Sequence, residues 1–252
     1  MKIITIANHK GGVGKTTTAI NLGVAISQQF NKRVLLIDLD AQANLTQSIG
    51  VLQHEQTIYG ALRGVHELPQ IKITENIKLT PSELDLSGAE IELTQVIGRE
   101  FILRDLLTPL KNLYDYVIID PPPSLGLLTT NALTCSDYVI IPVQSEFLAL
   151  TGLNKLTQVI ELVKQKLNPG LTVAGVLLTR FDSRKVLNKQ VEQTLRKDYK
   201  GNVFKTVIRE NIAIAEAPIR GKDVINYAPE SNGATDYLSL SKEFLEQTQK
   251  TQ

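Results

Sequence analysis

The chain lacks the residues on which several classes of functional site depend. It has one cysteine, Cys135, no tryptophan, and an aromatic content of 5%. A single cysteine cannot form an intramolecular disulfide, or a cysteine-based zinc or iron–sulfur site, within one chain. So few aromatic residues argue against a stacking platform for single-stranded nucleic acid. No apolar run approaches the roughly 20 residues needed to span a bilayer, and we expect a cytoplasmic, reducing setting.

The charges of the chain nearly cancel, but they are unevenly distributed. There are 27 Lys and Arg residues against 26 Asp and Glu residues, a formal net charge of +1. Residues 180–222 contain 11 basic and 5 acidic side chains, a local balance of +6 that leaves −5 for the remainder. A basic segment of this kind is either a solvated surface or a surface that contacts nucleic-acid phosphates without reading bases.

Short apolar runs of strand length alternate with helical patterns along the chain. The predicted strands are 3–7, 34–38, 116–120, 138–143 and 173–178, and the predicted helices are 16–29, 98–111, 152–167, 186–199 and 232–247. Several runs are apolar at successive positions, which indicates strands buried on both faces. We therefore predict an α/β fold, a mainly parallel twisted sheet with helices on both faces, in one domain over 1–252. Residues 50–97 are the least periodic and are expected to form a lobe at the sheet edge.

A glycine-rich loop follows the first predicted strand and precedes the first predicted helix. It reads Asn8-His9-Lys10-Gly11-Gly12-Val13-Gly14-Lys15-Thr16-Thr17. Glycines let the backbone fold closely around an anion, and the helix N-terminus adds its positive end. This context predicts a phosphate-binding loop in which Lys15 reaches the β- and γ-phosphates, Thr16 serves Mg²⁺ and Thr17 reaches the α-phosphate.

Three acidic residues follow apolar runs of strand length. Asp38 and Asp40 come after the run 34–37, and Asp120 comes after the run 116–119. In open α/β sheets the ligand lies at the carboxyl ends of the strands, and an unpaired carboxylate is costly to bury there. Mg²⁺ beside bound phosphates would pair these carboxylates; a helix-cap or turn role is the alternative for each.

Several segments resemble the ParA/Soj type of partition ATPase, in the MinD/ParA class, which includes McdA-like cargo-positioning ATPases. The resemblance rests first on Lys10-Gly11-Gly12-x-Gly14-Lys15-Thr16, whose extra lysine is typical of a deviant Walker A motif, and on Asp38-x-Asp40. Further matching segments are 41–46, 142–146, 178–182, 216–222 and 231–243. Together they cover most of the chain.

The resemblance implies a P-loop ATPase that forms an ATP-sandwich homodimer with Mg²⁺. Lys10 would reach the partner's nucleotide, and Lys10, Lys15 and Asp40 would be the catalytic residues, with Asp40 positioning or activating the attacking water. Thr16, Asp38 and Asp120 would serve Mg²⁺, Asp120 as the Walker B acid. The implied ATP-binding residues are Lys10, Gly11, Gly12, Val13, Gly14, Lys15, Thr16, Thr17, Thr179 and Asn211. Asn211 is the better adenine candidate, since its amide offers both a donor and an acceptor; a helix cap is its alternative role.

The same resemblance implies partners for the ATP-bound dimer. It would bind non-specific double-stranded DNA at the nucleoid, and a ParB-like or McdB-like adaptor would stimulate its slow hydrolysis. The family often has Pro-Arg-Asn-Val-Arg where this chain has Arg209-Glu210-Asn211-Ile212-Ala213. We therefore expect the DNA contacts to come from Arg184, Lys189, Arg209 and Arg220. The cargo, whether plasmid, chromosome or a protein body such as a carboxysome, stays open.

Two other functions remain open on the same scaffold. A MinD-like membrane-cycling regulator needs a basic amphipathic C-terminal helix with apolar anchors, whereas residues 246–252 are polar, so we expect no membrane partner. A metabolic ATP-dependent ligase would consume ATP only with a small acceptor molecule. The iron-protein type of nitrogenase is excluded because it needs two cluster cysteines per subunit.

Overall fold

The strands of the residues that the structure describes form a single sheet. The computed structural model describes residues 1–145 and 149–249, with only the helical backbone described over 149–152. Seven strands lie in this part of the chain: β1 (Lys2–Ile6), β2 (Val34–Asp38), β3 (Ile71–Lys72), β4 (Ile77–Thr80), β5 (Tyr116–Asp120), β6 (Tyr138–Gln144) and β7 (Thr172–Thr179). Their order across the sheet is β3-β4-β2-β5-β1-β6-β7, and only the β3–β4 pair is antiparallel among these neighbours.

Helices connect the strands and cover the sheet. The described α-helices are α1 (Lys15–Phe30), α2 (Asn44–Ser48), α3 (Ile58–Leu62), α4 (Ala89–Glu92), α5 (Ile102–Leu107), α6 (Leu127–Cys135), α7 (Ala149–Lys166), α8 (Val186–Asp198), α9 (Ile212–Glu216), α10 (Val224–Tyr227) and α11 (Asn232–Gln249). Short 3₁₀ segments lie at Leu84–Gly88, Leu93–Gln95, Arg99–Phe101, Thr108–Leu110 and Ala217–Arg220. None of the described helices has the combined length and apolar character of a membrane span.

Successive side chains of the central strands are buried on opposite faces of the sheet. Leu36 and Ile118 belong to a core that includes side chains of α1 and α11. Leu35 and Ile119 belong to a second core with α3, α5 and α6, and β6 and β7 share a third core with α7. Helices therefore cover both faces, and the predicted mainly parallel α/β fold is confirmed.

The predicted lobe over residues 50–97 belongs in part to the sheet itself. It supplies β4, which pairs with β2 in parallel register, and β3, which forms the edge. The predicted helix 98–111 is wrong as one continuous helix, since its α-helical part is limited to α5 with a 3₁₀ turn on each side. Gly98 has a φ of 73°, and Pro109 has no N–H to donate. Both residues interrupt a regular helix.

Candidate active site

Two glycines shape the loop between β1 and α1. Gly12 has a φ of 73° and Gly14 a φ of 89°, left-handed conformations that glycine adopts without steric strain. Helix α1 begins directly afterwards at Lys15. Because the first N–H groups of a helix have no partner within it, the loop and the helix start together form a site suited to a phosphate.

Polar side chains at the ends of β1 and β6 hold this loop in place. Asn8 Nδ2 donates to the Pro142 carbonyl at 2.6 Å, and Asn8 Oδ1 accepts from the Lys10 backbone N–H at 3.0 Å. From the end of β6, Gln144 Nε2 donates to the Gly12 carbonyl at 2.7 Å. The loop geometry is therefore fixed by one contact within the loop and by two contacts with β6, which the loop sequence alone does not indicate.

Lys15 lies at the base of the loop and is almost buried, with 8% of its surface exposed. Its Nζ lies 3.5 Å from the Lys10 carbonyl oxygen. Burial lowers the pKa of the Lys15 ammonium, and the nearby carboxylates of Asp120 and Asp40 oppose that shift. The structure thus brings Lys15 together with two of the predicted acidic residues.

Asp38 and Asp120 face each other at the ends of β2 and β5, where they are paired in parallel register. Both are buried, with exposures of 0% and 1%. Asp38 Oδ2 accepts hydrogen bonds from the Thr46 N–H at 2.8 Å and from its hydroxyl at 2.7 Å. Asp120 Oδ1 has no hydrogen-bond partner in the part of the chain that the structure describes. Burial raises the pKa of both carboxyls, and the charge of Asp38 raises the pKa of Asp120 further.

This buried acidic pair fits a divalent cation that is shared with phosphate groups. Within residues 1–145 and 149–249, no three His, Cys, Asp or Glu side chains are grouped so that they could hold a metal by themselves. Mg²⁺ is usually held by one or two carboxylates, water and substrate phosphates. The Thr16 side chain hydrogen-bonds with Asp120, and this contact opposes the rise in the pKa of Asp120. Thr16, Asp38 and Asp120 are thus suitable to position Mg²⁺, with the orphaned Asp120 oxygen as the clearest sign.

Asp40 is the more accessible of the two acids in the Asp38-x-Asp40 motif. Its backbone N–H donates to Asp38 Oδ1 at 3.2 Å, and its own Oδ1 accepts from the Gln42 backbone N–H at 3.0 Å. Asp40 lines the cavity beside the phosphate loop, whereas Asp38 is fully buried and is not among the described lining residues. Asp40 can therefore contact a group bound in the cavity, whereas the buried Asp38 carboxylate is held by Thr46.

The cavity has a volume of about 420 Å³. The phosphate loop and the first turns of α1 form one wall, and the segment 214–224 forms the opposite wall. Residues of the lining to which the sequence analysis assigned no role are Ile20, Asn21, Gln42, Asn44, Ser48, Pro123, Ile214, Ala217, Pro218, Lys222 and Val224. The motif at 216–222 was the available signal for the second wall, since it was already part of the family resemblance.

The two adenine candidates have structural roles of their own. Asn211 caps α9, where its Oδ1 accepts from the Ala213 N–H at 2.9 Å. Thr179 is 3% exposed and donates its hydroxyl to the Val13 carbonyl at 2.8 Å. Neither is among the described residues that line the cavity. An adenine contact by either residue stays a prediction, and the apolar wall at Ile214 is a further candidate surface for the base.

The predicted DNA-binding residues differ in their surroundings. Arg209 is bound to the buried Asp236, with Nη2 to Oδ1 at 2.6 Å. Arg184 is 89% exposed in its side chain and pairs with Asp182 at 3.0 Å. Lys189 and Arg220 are exposed. Contact of any of the four with DNA stays a prediction.

Glu210, the acid at the position of a family arginine, is also paired. Lys185 Nζ lies 3.0 Å from Glu210 Oε2, and Arg180 Nη2 lies 3.6 Å from Oε1. The neighbouring basic residues therefore offset its negative charge.

Comparisons with known proteins agree with this geometry. Residues 1–173 match the family model described as "AAA domain". The chain is 48% identical over 247 residues to the sporulation initiation inhibitor protein Soj of Bacillus subtilis, a match that covers 96% of this chain and 97% of that protein. It is 47% identical over 249 residues to the chromosome partitioning protein ParA of Myxococcus xanthus, covering 97% and 88%.

One solved structure is similar to this chain over the whole length of this chain. It is described as cobyrinic acid a,c-diamide synthase from Mycobacterium smegmatis with bound ATP analogue and magnesium. Its identity is 34%, its TM-score is 0.87, and the match covers 100% of this chain and 97% of that chain.

Proposed function

Because this chain belongs to the Soj/ParA family of partition ATPases, we propose that it hydrolyses ATP with Mg²⁺ as part of a positioning cycle. In this cycle residues 1–252 act as one ATPase domain. The cargo is a plasmid, a chromosome region or a protein body, and the partner is an adaptor protein that stimulates hydrolysis.

The observation that supports an ATPase most directly is the nearly buried Lys15 beside Asp120 and Asp40. A desolvated ammonium at the start of α1 stabilises charge on the β- and γ-phosphates more strongly than one in water. Thr16, Asp38 and Asp120 would hold Mg²⁺, which supplies further charge neutralisation when bound. Catalysis of phosphoryl transfer rests mainly on such positioning and charge stabilisation.

We assign the attacking water to Asp40. It lines the cavity, while its neighbour Asp38 is fully buried. A carboxylate fixed by the Gln42 backbone N–H at 3.0 Å keeps one orientation and can accept a hydrogen bond from water. Lys10, at the exposed start of the loop, would complete the site of a second copy in an ATP-bound homodimer.

Dimerisation would also control DNA binding. The segment 180–222 carries 11 basic and 5 acidic residues, and non-specific phosphate contacts from one copy are weak at physiological salt. Two linked copies bind far more tightly than one because the second contact becomes intramolecular. The dimer would thus hold nucleoid DNA with ATP and release it after hydrolysis.

A second candidate follows from the solved structure that is described as a diamide synthase. An enzyme of that kind would consume ATP with a small carboxylic acid acceptor. The Soj and ParA relatives are more similar, at 48% and 47% identity against 34%, which favours the partition function. Stimulation of ATP consumption by cobyrinic acid, and not by DNA with an adaptor, would reverse this preference.

The decisive experiment measures retention of duplex DNA of arbitrary sequence with ATP and with ADP. We expect retention with ATP only. Asp40→Ala should lower the hydrolysis rate about 100-fold or more, the usual contribution of a positioned base, and should keep the protein on DNA with ATP. Lys15→Ala serves as the comparison, since it should lose both hydrolysis and ATP-dependent retention. Equal retention with both nucleotides would refute the switch, and normal hydrolysis by Asp40→Ala would refute the assignment of the water.

A further inference from the structure

The loop between Asp120 and helix α6 connects the buried acidic pair to the wall of the nucleotide cavity. It begins with Pro121-Pro122-Pro123, and Pro123 lines the cavity. Because proline has no N–H, these three residues cannot be held by hydrogen bonds that their own backbone donates. The position of the loop therefore depends on groups that approach it from outside, and α6 is the element that follows it, from Leu127 onward.

Helix α6 holds this loop through the side chain of Thr129. The Thr129 hydroxyl donates to the Ser124 carbonyl at 2.6 Å, and the Pro122 carbonyl oxygen lies 3.4 Å from the same hydroxyl. Thr129 belongs to the first turn of α6, so its position follows the start of the helix. A group that fixes the start of α6 thus also fixes the loop that leads back to Asp120.

The start of α6 is capped by a side chain that is distant in sequence. Gly126 precedes the helix and provides no side chain for the free N–H groups of the first turn. The carboxylate of Glu90, a residue of α4, accepts from the Leu128 backbone N–H at 3.3 Å. Glu90 therefore supplies both the acceptor and the negative charge that stabilise a helix N-terminus.

The glycine at the start of α6 leaves the space that the Glu90 carboxylate occupies. A Cβ on Gly126 would overlap Glu90 Oε1 and would lie 2.7 Å from Glu90 Cδ and Oε2. The backbone of Gly126 is extended, with a φ of −88°, a value that residues other than glycine also adopt. A side chain at position 126 would therefore displace the Glu90 carboxylate without straining the backbone.

The other acid of α4 contacts a different element. Glu92 Oε1 accepts from the Tyr59 hydroxyl at 2.8 Å, and Glu92 Oε2 lies 3.0 Å from Arg63 Nε. Tyr59 belongs to α3, and Arg63 directly follows it. The two carboxylates of one short helix thus bind α6 and the α3 region separately, which makes Glu92 a matched control for Glu90.

We propose that Glu90 is a positioning residue of the nucleotide site. By holding the start of α6 it holds the loop after Asp120, and with it the carboxylate that would serve Mg²⁺. The proposal rests on the function proposed above, because it concerns the same nucleotide site. Glu90 is not among the described residues that line the cavity, so it acts through the loop and not on the nucleotide. Its effect is therefore confined to nucleotide binding that depends on Mg²⁺.

The test measures binding of ADP to the full chain by calorimetry, once with Mg²⁺ and once with EDTA. Glu90→Ala should raise the dissociation constant with Mg²⁺ about tenfold, the usual effect of losing an outer partner of a metal site. With EDTA it should bind ADP as wild type does. Glu90→Gln keeps an acceptor for the Leu128 N–H and should lie closer to wild type. Glu92→Ala removes the same charge from α4 and should match wild type under both conditions.

A second variant removes the contact while Glu90 stays in the chain. Gly126→Ala should displace the carboxylate and raise the dissociation constant with Mg²⁺ as much as Glu90→Ala does. The double variant should be no weaker than either single variant, because both changes act on one contact. Hydrogen exchange of the Leu128 amide should be faster in all three variants than in wild type.

The outcomes separate a positioning role from a merely structural one. Equal weakening by Glu90→Ala with Mg²⁺ and with EDTA, or the same Mg²⁺-dependent weakening by Glu92→Ala, would overturn the positioning role. Additive effects of Glu90→Ala and Gly126→Ala would overturn the route through their contact. If wild type binds ADP with Mg²⁺ but does not hydrolyse ATP, the proposed function fails, while the ratio of the two dissociation constants still decides the role of Glu90.

Discussion

The hydroxyl of Thr46 takes part in two buried hydrogen bonds at the back of the acidic loop. It donates to Asp38 Oδ2 and accepts from the Ser82 backbone N–H. The backbone N–H of Thr46 also donates to the same carboxylate oxygen. Because Asp38 is fully buried, these donors replace water as its hydrogen-bond partners.

We therefore expect Thr46→Val to lower the free energy of unfolding by about 1–3 kcal/mol, the usual effect of leaving a buried polar group unsatisfied. Urea denaturation monitored by circular dichroism measures this. Valine has nearly the same shape, so a loss of stability reports the hydrogen bonds and not a cavity. Thr46→Ser keeps the hydroxyl and should stay closer to wild type. If Thr46→Val were as stable as wild type, Asp38 would have to be neutral or solvated in solution.

At the scale of elements, two glycine backbones touch where α2 meets the wall of the nucleotide cavity. Gly50 and Gly221 have φ values of 84° and 62°. A Cβ placed on Gly221 would lie 2.9 Å from Gly50 Cα and 3.3 Å from its nitrogen. The contact joins the loop after α2 to the turn before Lys222, and both flank the cavity.

Gly221→Ala should lower the free energy of unfolding by about 1–3 kcal/mol, because it combines a left-handed φ with a backbone clash. It should also weaken ATP binding, since the displaced turn carries the wall formed by Ala217 and Pro218. Thermal unfolding with and without ATP measures both effects. Gly170→Ala is the control: its φ is not left-handed and its Cβ would contact only the Asn168 side chain at 3.6 Å. Equal behaviour of the two variants would mean that the Gly50–Gly221 contact does not support the cavity.

The sequence predicts elements well where burial follows a simple pattern. The strands β2 and β5 are uniformly apolar up to their terminal acids, and the prediction matches their bounds. Helix α6 was missed because most of its residues are buried, so it has no polar face that would reveal a helical period. Strand β4, which lies between β3 and β2, was missed within an irregular segment, since only its pairing with its neighbours identifies it.

In the active site, too, the residues with a local sequence pattern could be predicted and the residues brought in by the fold could not. The phosphate loop and the acids are contiguous motifs, so their spacing predicts them. Ile214, Ala217 and Pro218 reach the nucleotide cavity only because the fold brings their segment to the phosphate loop. The Gln144 and Asn8 contacts that support the loop span more than 130 residues. No local pattern indicates contacts of this kind.

At the scale of the whole molecule, part of the basic charge in 180–222 is used within the protein. Arg209 holds Asp236 of α11, and Arg196 pairs with Glu192 at 3.0 Å. Arg180 and Lys185 both contact Glu210. The proposed DNA surface therefore relies on a subset of the basic residues, chiefly Lys189 and Arg220, which are exposed.

This distribution leads to a prediction for the salt dependence of DNA retention with ATP. The logarithm of the binding constant should fall linearly with the logarithm of the salt concentration, with a slope of roughly −0.9 per phosphate contact. If each copy in a dimer uses Lys189 for one contact, Lys189→Ala should reduce the magnitude of the slope by about 2. Lys242→Ala, at an exposed lysine of α11 outside the segment, removes the same charge and should leave the slope unchanged. Arg209→Ala should instead reduce stability, because it leaves the buried Asp236 carboxylate with the backbone N–H of residue 209 but without its cationic partner. Identical slopes for Lys189→Ala and Lys242→Ala would move the DNA surface away from α8, whereas a slope change of about 1 would indicate that only one copy of the dimer contacts DNA at a time.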